Sequence, residues 1–397
     1  MTTNRTAIRR RLAIRGRSHR PPWGAGKAGH DSILAPFGAT VAATLAVGVG
    51  LVIARSERQR RRTRQRRLER RLGLARGEPL AAGLRRMALA QADLAIEQLS
   101  TGDSGVGAVA AIAGAQPPDE TAVHETRKAL KRLRALLRLL EHELGAKTYA
   151  RETAVLRDVA QQLSIARDAA VMLNTLDALI ERHPRQLARR RGVRKLRQQL
   201  HAEHARLQQR TLAEPAGRAR VLGELHGFRW RVAAWQLGNR PGLQLIERDL
   251  TRIYSQGRRR HQRVASGRGK RVIAMHEWRK RVKDLRYAAE MLGPSGPGKP
   301  AGRDKSGQRL RELASRADDL GELLGEDHDL AIFAQHLRAG GHGHAKQAWH
   351  TGRGTRRALL KLIAKRRRKL RERALRQGAR LYRDRPKRFT RQIRSLS

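Results

Sequence analysis

The chain has no cysteine among its 397 residues. Disulfides, thiolate metal sites and cysteine nucleophiles are thereby excluded, and the absence agrees with a cytoplasmic protein. Aromatic residues are scarce as well: five Trp, four Tyr and four Phe make up 3% of the sequence. Readers of RNA and of single strands stack bases on aromatic side chains, and such a platform would be hard to assemble from so few. The third shortage is of acids. Asp and Glu total 35 against 87 Lys and Arg, for a formal net charge of +52. A compact chain with that much charge of one sign repels itself, and a polyanion is the partner that relieves the repulsion. Nucleic acid, polyphosphate and anionic membrane all qualify on charge alone.

Catalytic signatures are missing too. There is no G-x-x-x-x-G-K-[ST] loop, no H-E-x-x-H helix and no G-x-S-x-G turn. His201 with His204, and His342 with His344, have spacings that suit a metal, but no further ligands stand near them in sequence. They read as exposed side chains, acids near the basic runs are too few for a Mg²⁺ cage, and no cofactor is expected. The expectation is a binding protein, not an enzyme.

What is present divides the chain. Residues 1–32 form a basic tail with Gly and Pro and no apolar period, expected to be disordered. Ile33–Ala54 then runs without a single charged side chain. As a helix this spans about 33 Å, enough to cross a bilayer core of about 30 Å, and Pro36 falls in the first turn, where a helix tolerates it. The expectation is a single transmembrane or apolar anchor helix at 33–54, which a storage-granule surface would also accept. Arg55–Arg71 holds ten Arg in a short stretch, denser than the eight basic residues spread over 1–30. The positive-inside rule therefore places the bulk of the chain on the cytoplasmic face, membrane-anchored or granule-associated. The basic segment 55–78 could also lie on anionic lipid headgroups.

From residue 79 onward the pattern is helical. Leu80, Leu84, Met87, Leu94 and Leu99 recur at helical spacing, as do Leu130, Leu133, Leu137, Leu140 and Leu144, and no window alternates like a strand. Breaks fall at 102–114 with Pro117–Pro118, at Pro184, at Pro215–Gly217, at 238–242, at 293–307 and at 340–343. The expected fold is all-α, with two tandem related antiparallel helical bundles at 79–240 and 241–397.

Two segments share the pattern H-E-x-R-K-x-Φ-K-x-L-R, with Φ apolar: His124-Glu-Thr-Arg127-Lys128-Ala-Leu-Lys131-Arg132-Leu-Arg134 and His276-Glu-Trp-Arg279-Lys280-Arg-Val-Lys283-Asp284-Leu-Arg286. Positions 0, +3, +4, +7 and +10 share one stripe of a helix. Most charge runs are solvated faces, but like charges at i, i+3 and i+4 destabilise a helix by a few tenths of a kcal/mol each, and this stripe occurs twice behind the same His-Glu pair. Arg forks suit phosphate oxygens and Lys supplies a mobile charge. His124 and His276 have an ordinary pKa near 6.5, so each could become a donor in mild acid; the alternative is a packing His. A second signature follows each stripe: Arg167-Asp168 after the first, and Asp327-His328-Asp329 after the second. Asp168 and Asp329, one helical hairpin on, could return toward the stripes to fix Arg and Lys, or serve as ordinary ion pairs.

H-x-x-R-x-x-x-K-R-x-R followed by an R-D or D-H-D element, twice in tandem, resembles the CHAD domain, the conserved histidine α-helical domain. The closing segment Gly378–Phe389 is similar to that family's final helix. The resemblance covers roughly 79–397 and implies two related bundles around a basic cleft that holds inorganic polyphosphate. It assigns binding to His124, Arg127, Lys131, Arg132 and Arg134, and to His276, Arg279, Lys280, Lys283 and Arg286, with Lys128 on the same face. Such domains occur alone or beside a triphosphate-tunnel enzyme domain, which needs an E-x-E-x-K row; the nearest string, Glu141-His-Glu143-Leu-Gly, lacks the Lys. Asp284 departs from the pattern, standing where the first copy has Arg132, and is expected to weaken or neutralise the second stripe. A nucleic-acid-associated protein that uses Arg-rich helices such as Arg356–Arg376 on phosphate backbones is the alternative. A concave site would favour polyphosphate and an open convex stripe DNA.

Overall fold

Proline and glycine mark where the helices stop. The computed structural model describes residues 73–75, 78–100, 120–210, 215–268, 271–293, 305–339 and 351–394. Among the described residues there are twelve α-helices, one 3₁₀ turn at Gly242–Leu245 and no strand. The helices are α1 (Leu80–Ser100), α2 (Glu120–Leu139), α3 (Glu141–Gln162), α4 (Ile165–Arg182), α5 (Pro184–Leu187) and α6 (Arg191–Arg210). The series continues with α7 (Pro215–Ala233), α8 (Glu247–Ala265), α9 (Arg271–Leu292), α10 (Lys305–Arg338), α11 (Arg353–Leu381) and α12 (Pro386–Arg394). Pro184, Pro215 and Pro386 each open a helix, where a missing N–H costs nothing and the fixed φ is already helical. Gly145, at φ 73°, puts a kink in α3.

The all-α expectation therefore holds. The anchor segment 33–54, the tail before it and residues 55–72 after it lie outside the described residues. Among the described residues no helix is long and apolar enough to cross a membrane.

Two apolar cores form, and both take helices from either side of residue 240. The larger buries Leu84, Met87, Leu130, Leu133, Leu156 and Phe228 together with Tyr254, Trp278, Leu285 and Leu320. The smaller joins Leu176, Leu196 and Leu200 of α4 and α6 to Leu330 and Phe333 late in α10 and to Leu359 and Leu370 in α11. The long helices α10 and α11 thus run from one core into the other. Burying a Leu, Phe or Trp side chain stabilises by about 1.5–3 kcal/mol, so these contacts set the architecture.

Buried carboxylates fix how the helices meet. Glu152 on α3, fully buried, receives the Arg231 guanidinium of α7 at 2.9 and 3.0 Å. Asp249 on α8 accepts from the His142 backbone N–H at 3.1 Å and lies 2.6 Å from its ring Nδ1. Arg218 on α7 donates to the Leu99 carbonyl at 2.9 Å, satisfying an orphan carbonyl at the end of α1.

A close helix contact lies at Gly378 in α11. A methyl group there would stand 2.5 Å from the Trp278 ring and 2.6 Å from the His261 ring, and Trp278 has no exposed surface through which to yield. Gly378→Ala is expected to cost about 1–3 kcal/mol, read as a lower urea midpoint at unchanged slope. An unaltered midpoint would mean that the rings repack freely.

Candidate functional site

α2 turns Ala129, Leu130, Leu133 and Leu137 into the core, and the 3.6-residue period then brings the first stripe to the opposite side. His124 and Arg134 are exposed, and Arg127, Lys128, Lys131 and Arg132 are half-buried along the same face. Arg127 Nη1 donates to the Leu163 carbonyl at the end of α3, a bond that orients the guanidinium and does not itself neutralise it. It also draws the α3–α4 turn to the stripe, with Asp168 exposed in the first turn of α4. Lys128 lies 3.7 Å from Glu125 on its own helix.

The second stripe, on α9, is more heavily paired. Lys280 meets Glu277 at 2.8 Å, and Arg286 meets Glu290 at 2.7 Å and Asp318 of α10. Arg279 lies across Gly325 of α10. His276 is half-buried and stacks on His328 with ring centroids 4.4 Å apart at 29°, so the leading His and the D-H-D signature meet directly. Burial, and then the charges of Lys280 and Arg279, hold the His276 pKa below its ordinary 6.5 against the opposing pull of Glu277. Its Nδ1 is buried without a hydrogen bond among the described residues.

Asp329 lies on α10 beside the second stripe. With Lys283 and Arg286 it lines a cleft of about 550 Å³ between α4, α9 and α10. The cleft is not a cationic groove, because Arg182, Lys283 and Arg286 face Asp318, Glu322, Glu326 and Asp329. Asp327 points the other way, nearly buried, and holds Arg367 and Arg371 of α11, each at 3.0 Å.

Asp284 does something the sequence did not suggest. α2 and α9 pack against each other, and the Asp284 side chain, 17% exposed, lies in their junction. It pairs with Arg138 of α2 at 3.5 Å and with Arg281 at 3.3 Å. Burial pushes its carboxyl above the ordinary range, while Arg138, Arg281 and Arg134 pull it down. Asp284 is thus a tie between the two His-led helices, and Glu277, Glu290 and Asp318 offset charge along the second stripe.

A further basic recess, of about 540 Å³, lies between α8 and α9. Arg259, Arg260, Arg263 and Arg281 line it with Gln256 and Glu277. Sequence reasoning passed over it, although Arg259 and Arg263 stand four apart on one helix face. Among the described residues no group of three or more His, Asp or Glu is placed to hold a metal ion.

Fold and site together define an all-helical protein that displays cationic rows on packed, His-led helices. The chain belongs to the CHAD domain family, whose model matches residues 90–338, from within α1 to the end of α10. That family is associated with polyphosphate binding. Among solved structures, PptA from Streptomyces chartreusis is similar over 77% of this chain and 100% of its own, at 16% identity and a TM-score of 0.49. No curated protein sequence matches.

Glu326 joins three helices at the cleft edge, pairing with Arg366 of α11 at 2.6 Å and with Arg182 of α4 at 2.7 Å. Burial raises its pKa, but the bonds from Arg366 and Arg182 outweigh burial and leave it below the ordinary 4.5. A depressed carboxylate stabilises fully above its unfolded pKa and loses that contribution as pH falls through the folded one. Glu326→Gln should therefore cost about 1–2 kcal/mol at pH 7. The gap to wild type should narrow as pH falls below the ordinary 4.5 and through the lowered folded value, and a gap independent of pH in denaturant melts would refute the ionic account.

Proposed function

We propose that the chain binds inorganic polyphosphate without turning it over, chiefly on the α2 stripe, with α9 as a second and partly neutralised row. The observation that carries this reading is the charge balance of α2. Its face presents His124, Lys128, Arg132 and Arg134, and of these four Lys128 is the one in an ion pair among the described residues, 3.7 Å from Glu125. Family membership supports the same ligand class.

The chemistry follows from the spacing. Polyphosphate carries about one negative charge per internal phosphate and has no base to read, so it needs donors in a row. One helical turn per cation gives such a row at about 5.4 Å intervals. Arg132 and Arg134 offer forked donors that can grip two phosphate oxygens at once, and Lys128 adds a mobile charge. The Arg127 bond to the Leu163 carbonyl and the Asp284 tie to Arg138 hold α2 in place before ligand arrives. Less conformational entropy is then lost on binding.

The test is calorimetric titration of the intact chain with long-chain polyphosphate at about 0.15 M salt, where diffuse attraction is screened. Reversing Lys128, Arg132 and Arg134 to Glu should weaken binding at least tenfold, about 1.4 kcal/mol. Reversing three exposed arginines elsewhere, Arg185, Arg189 and Arg220, should change it by less than about threefold, since screened charges act over about 8 Å. Equal losses in both variants would show that only net charge matters. Release of phosphate by the wild-type chain would contradict binding without turnover.

A pH dependence follows from His276, which is held neutral at pH 7 by burial, Lys280 and Arg279. A bound polyanion favours its imidazolium form, so binding takes up a proton and tightens as pH falls below the ordinary 6.5. His276→Gln should flatten the affinity profile between about pH 5 and 7. An unchanged slope would remove His276 from the site.

A further inference from the structure

The match to the family model ends at residue 338, and α11 lies beyond it with a distinct division of charge. Its inner side is occupied: Leu359, Ile363, Leu370 and Ala374 are buried in the cores, and Arg366, Arg367 and Arg371 are held by Glu326 and Asp327 of α10. On the outer side every exposed charged residue from Arg353 to Arg380 is Lys or Arg, with Glu372 as the exception. Lys361, Lys365, Arg368 and Arg376 make no ion pair among the described residues. Arg357, Lys361, Lys365 and Lys369 follow one another at i, i+4, a spacing at which like charges destabilise a helix.

The chemistry of this ridge narrows its partner. The remaining exposed positions are Gly354, Ala364 and Ala379. None is bulky enough to enter a lipid interface, and none can stack on an unpaired base. At 3.6 residues per turn, Arg357 and Arg368 lean to one flank, Lys369 and Arg380 to the other, and Lys361 and Lys365 occupy the crest. The cations thus cover an arc of about 200°. A flexible single-chain anion reaches one flank of such a convex ridge at a time, whereas a duplex presents phosphates on both sides of a groove. A helix with side chains is about 10–12 Å across and fits a B-form major groove of about 12 Å. The A-form major groove is too deep and narrow to admit it.

We infer that the outer face of α11 is a second polyanion site, separate from the His-led stripes, and that its ligand is B-form duplex DNA held through its phosphates without base reading. This inference does not rest on the polyphosphate reading, and the two can fail independently.

Anisotropy titration of the intact chain against a fluorescent 24-base-pair DNA duplex, over a range of salt, tests it. Lys361→Glu, Lys365→Glu, Arg368→Glu and Arg376→Glu combined should weaken DNA binding by at least about a hundredfold and lower the slope of log affinity on log salt by about 3–4. Polyphosphate affinity should stay within about threefold, because the stripes are untouched. The corresponding four Gln substitutions introduce no new charge, guard against misfolding in the reversed variant, and should lower the slope in the same direction. Double-stranded RNA of equal length should bind at least about tenfold more weakly than DNA. Wild-type DNA affinity in both variants, DNA loss that follows the α2 substitutions instead, or equal binding of RNA would each overturn the inference.

Discussion

A carboxylate shared between two cations recurs at the junctions of this structure, and the shortage of acids explains its importance. Glu152 takes Arg231 and Arg151, Asp284 takes Arg138 and Arg281, Asp327 takes Arg367 and Arg371, and Glu326 takes Arg366 and Arg182. With 35 acids against 87 bases, each carboxylate used at a junction is one withheld from the surface. Burying an ion pair is at best weakly stabilising compared with apolar packing, yet removing one partner is costly, because the other charge is left stranded. These pairs therefore fix which helix meets which, while the apolar cores supply most of the stability. The surface that remains is cationic, and its charges repel one another.

Much of this was legible in the sequence. Gly and Pro marked the helix ends, as Pro184, Pro215 and Pro386 show, and the 3.6-residue period identified the outward face of α2 because Leu130, Leu133 and Leu137 had to point inward. Local pairs such as Glu277 with Lys280 could be counted from spacing alone. Pairs between helices could not. Nothing in the sequence of α9 says that Asp318, on the following helix, will return to Arg286. Nor does it say that Asp284 will leave the stripe to bind Arg138, on a helix far earlier in the chain. In sequence, Asp in place of Arg at 284 reads as a weakening of the binding row, but its burial between α2 and α9 makes it part of the joint. Side-chain period is a local property, and which acid reaches which base depends on the crossing of whole helices.

The two His-led helices are consequently not equivalent. In α2 the cations Arg132 and Arg134 form no ion pair among the described residues, whereas in α9 the matching position Arg286 is held by Glu290 and Asp318. The second copy keeps the bases Arg279, Lys280, Lys283 and Arg286, has Asp284 where the first has Arg132, and differs in the acids around the row. His276 makes the same point, since it is half-buried and stacks on His328, while His124 is exposed.

α10 occupies a particular place in this arrangement. It packs against α9 on one side and α11 on the other, and it carries seven acids against five bases in a chain whose formal charge is +52. Asp318 faces the α9 stripe, Asp327 faces α11, and Glu326 spans α11 and α4. A row of carboxylates between two cationic helices lowers their mutual repulsion where screening by salt is least effective, in the partly buried interior. It also lets the inner cations of α11 be neutralised while the outer ones stay free to act. The acid-rich helix thereby keeps the His-led rows and the α11 ridge from behaving as one diffuse cloud of charge. Two separate surfaces of like sign can then coexist on a single helical unit.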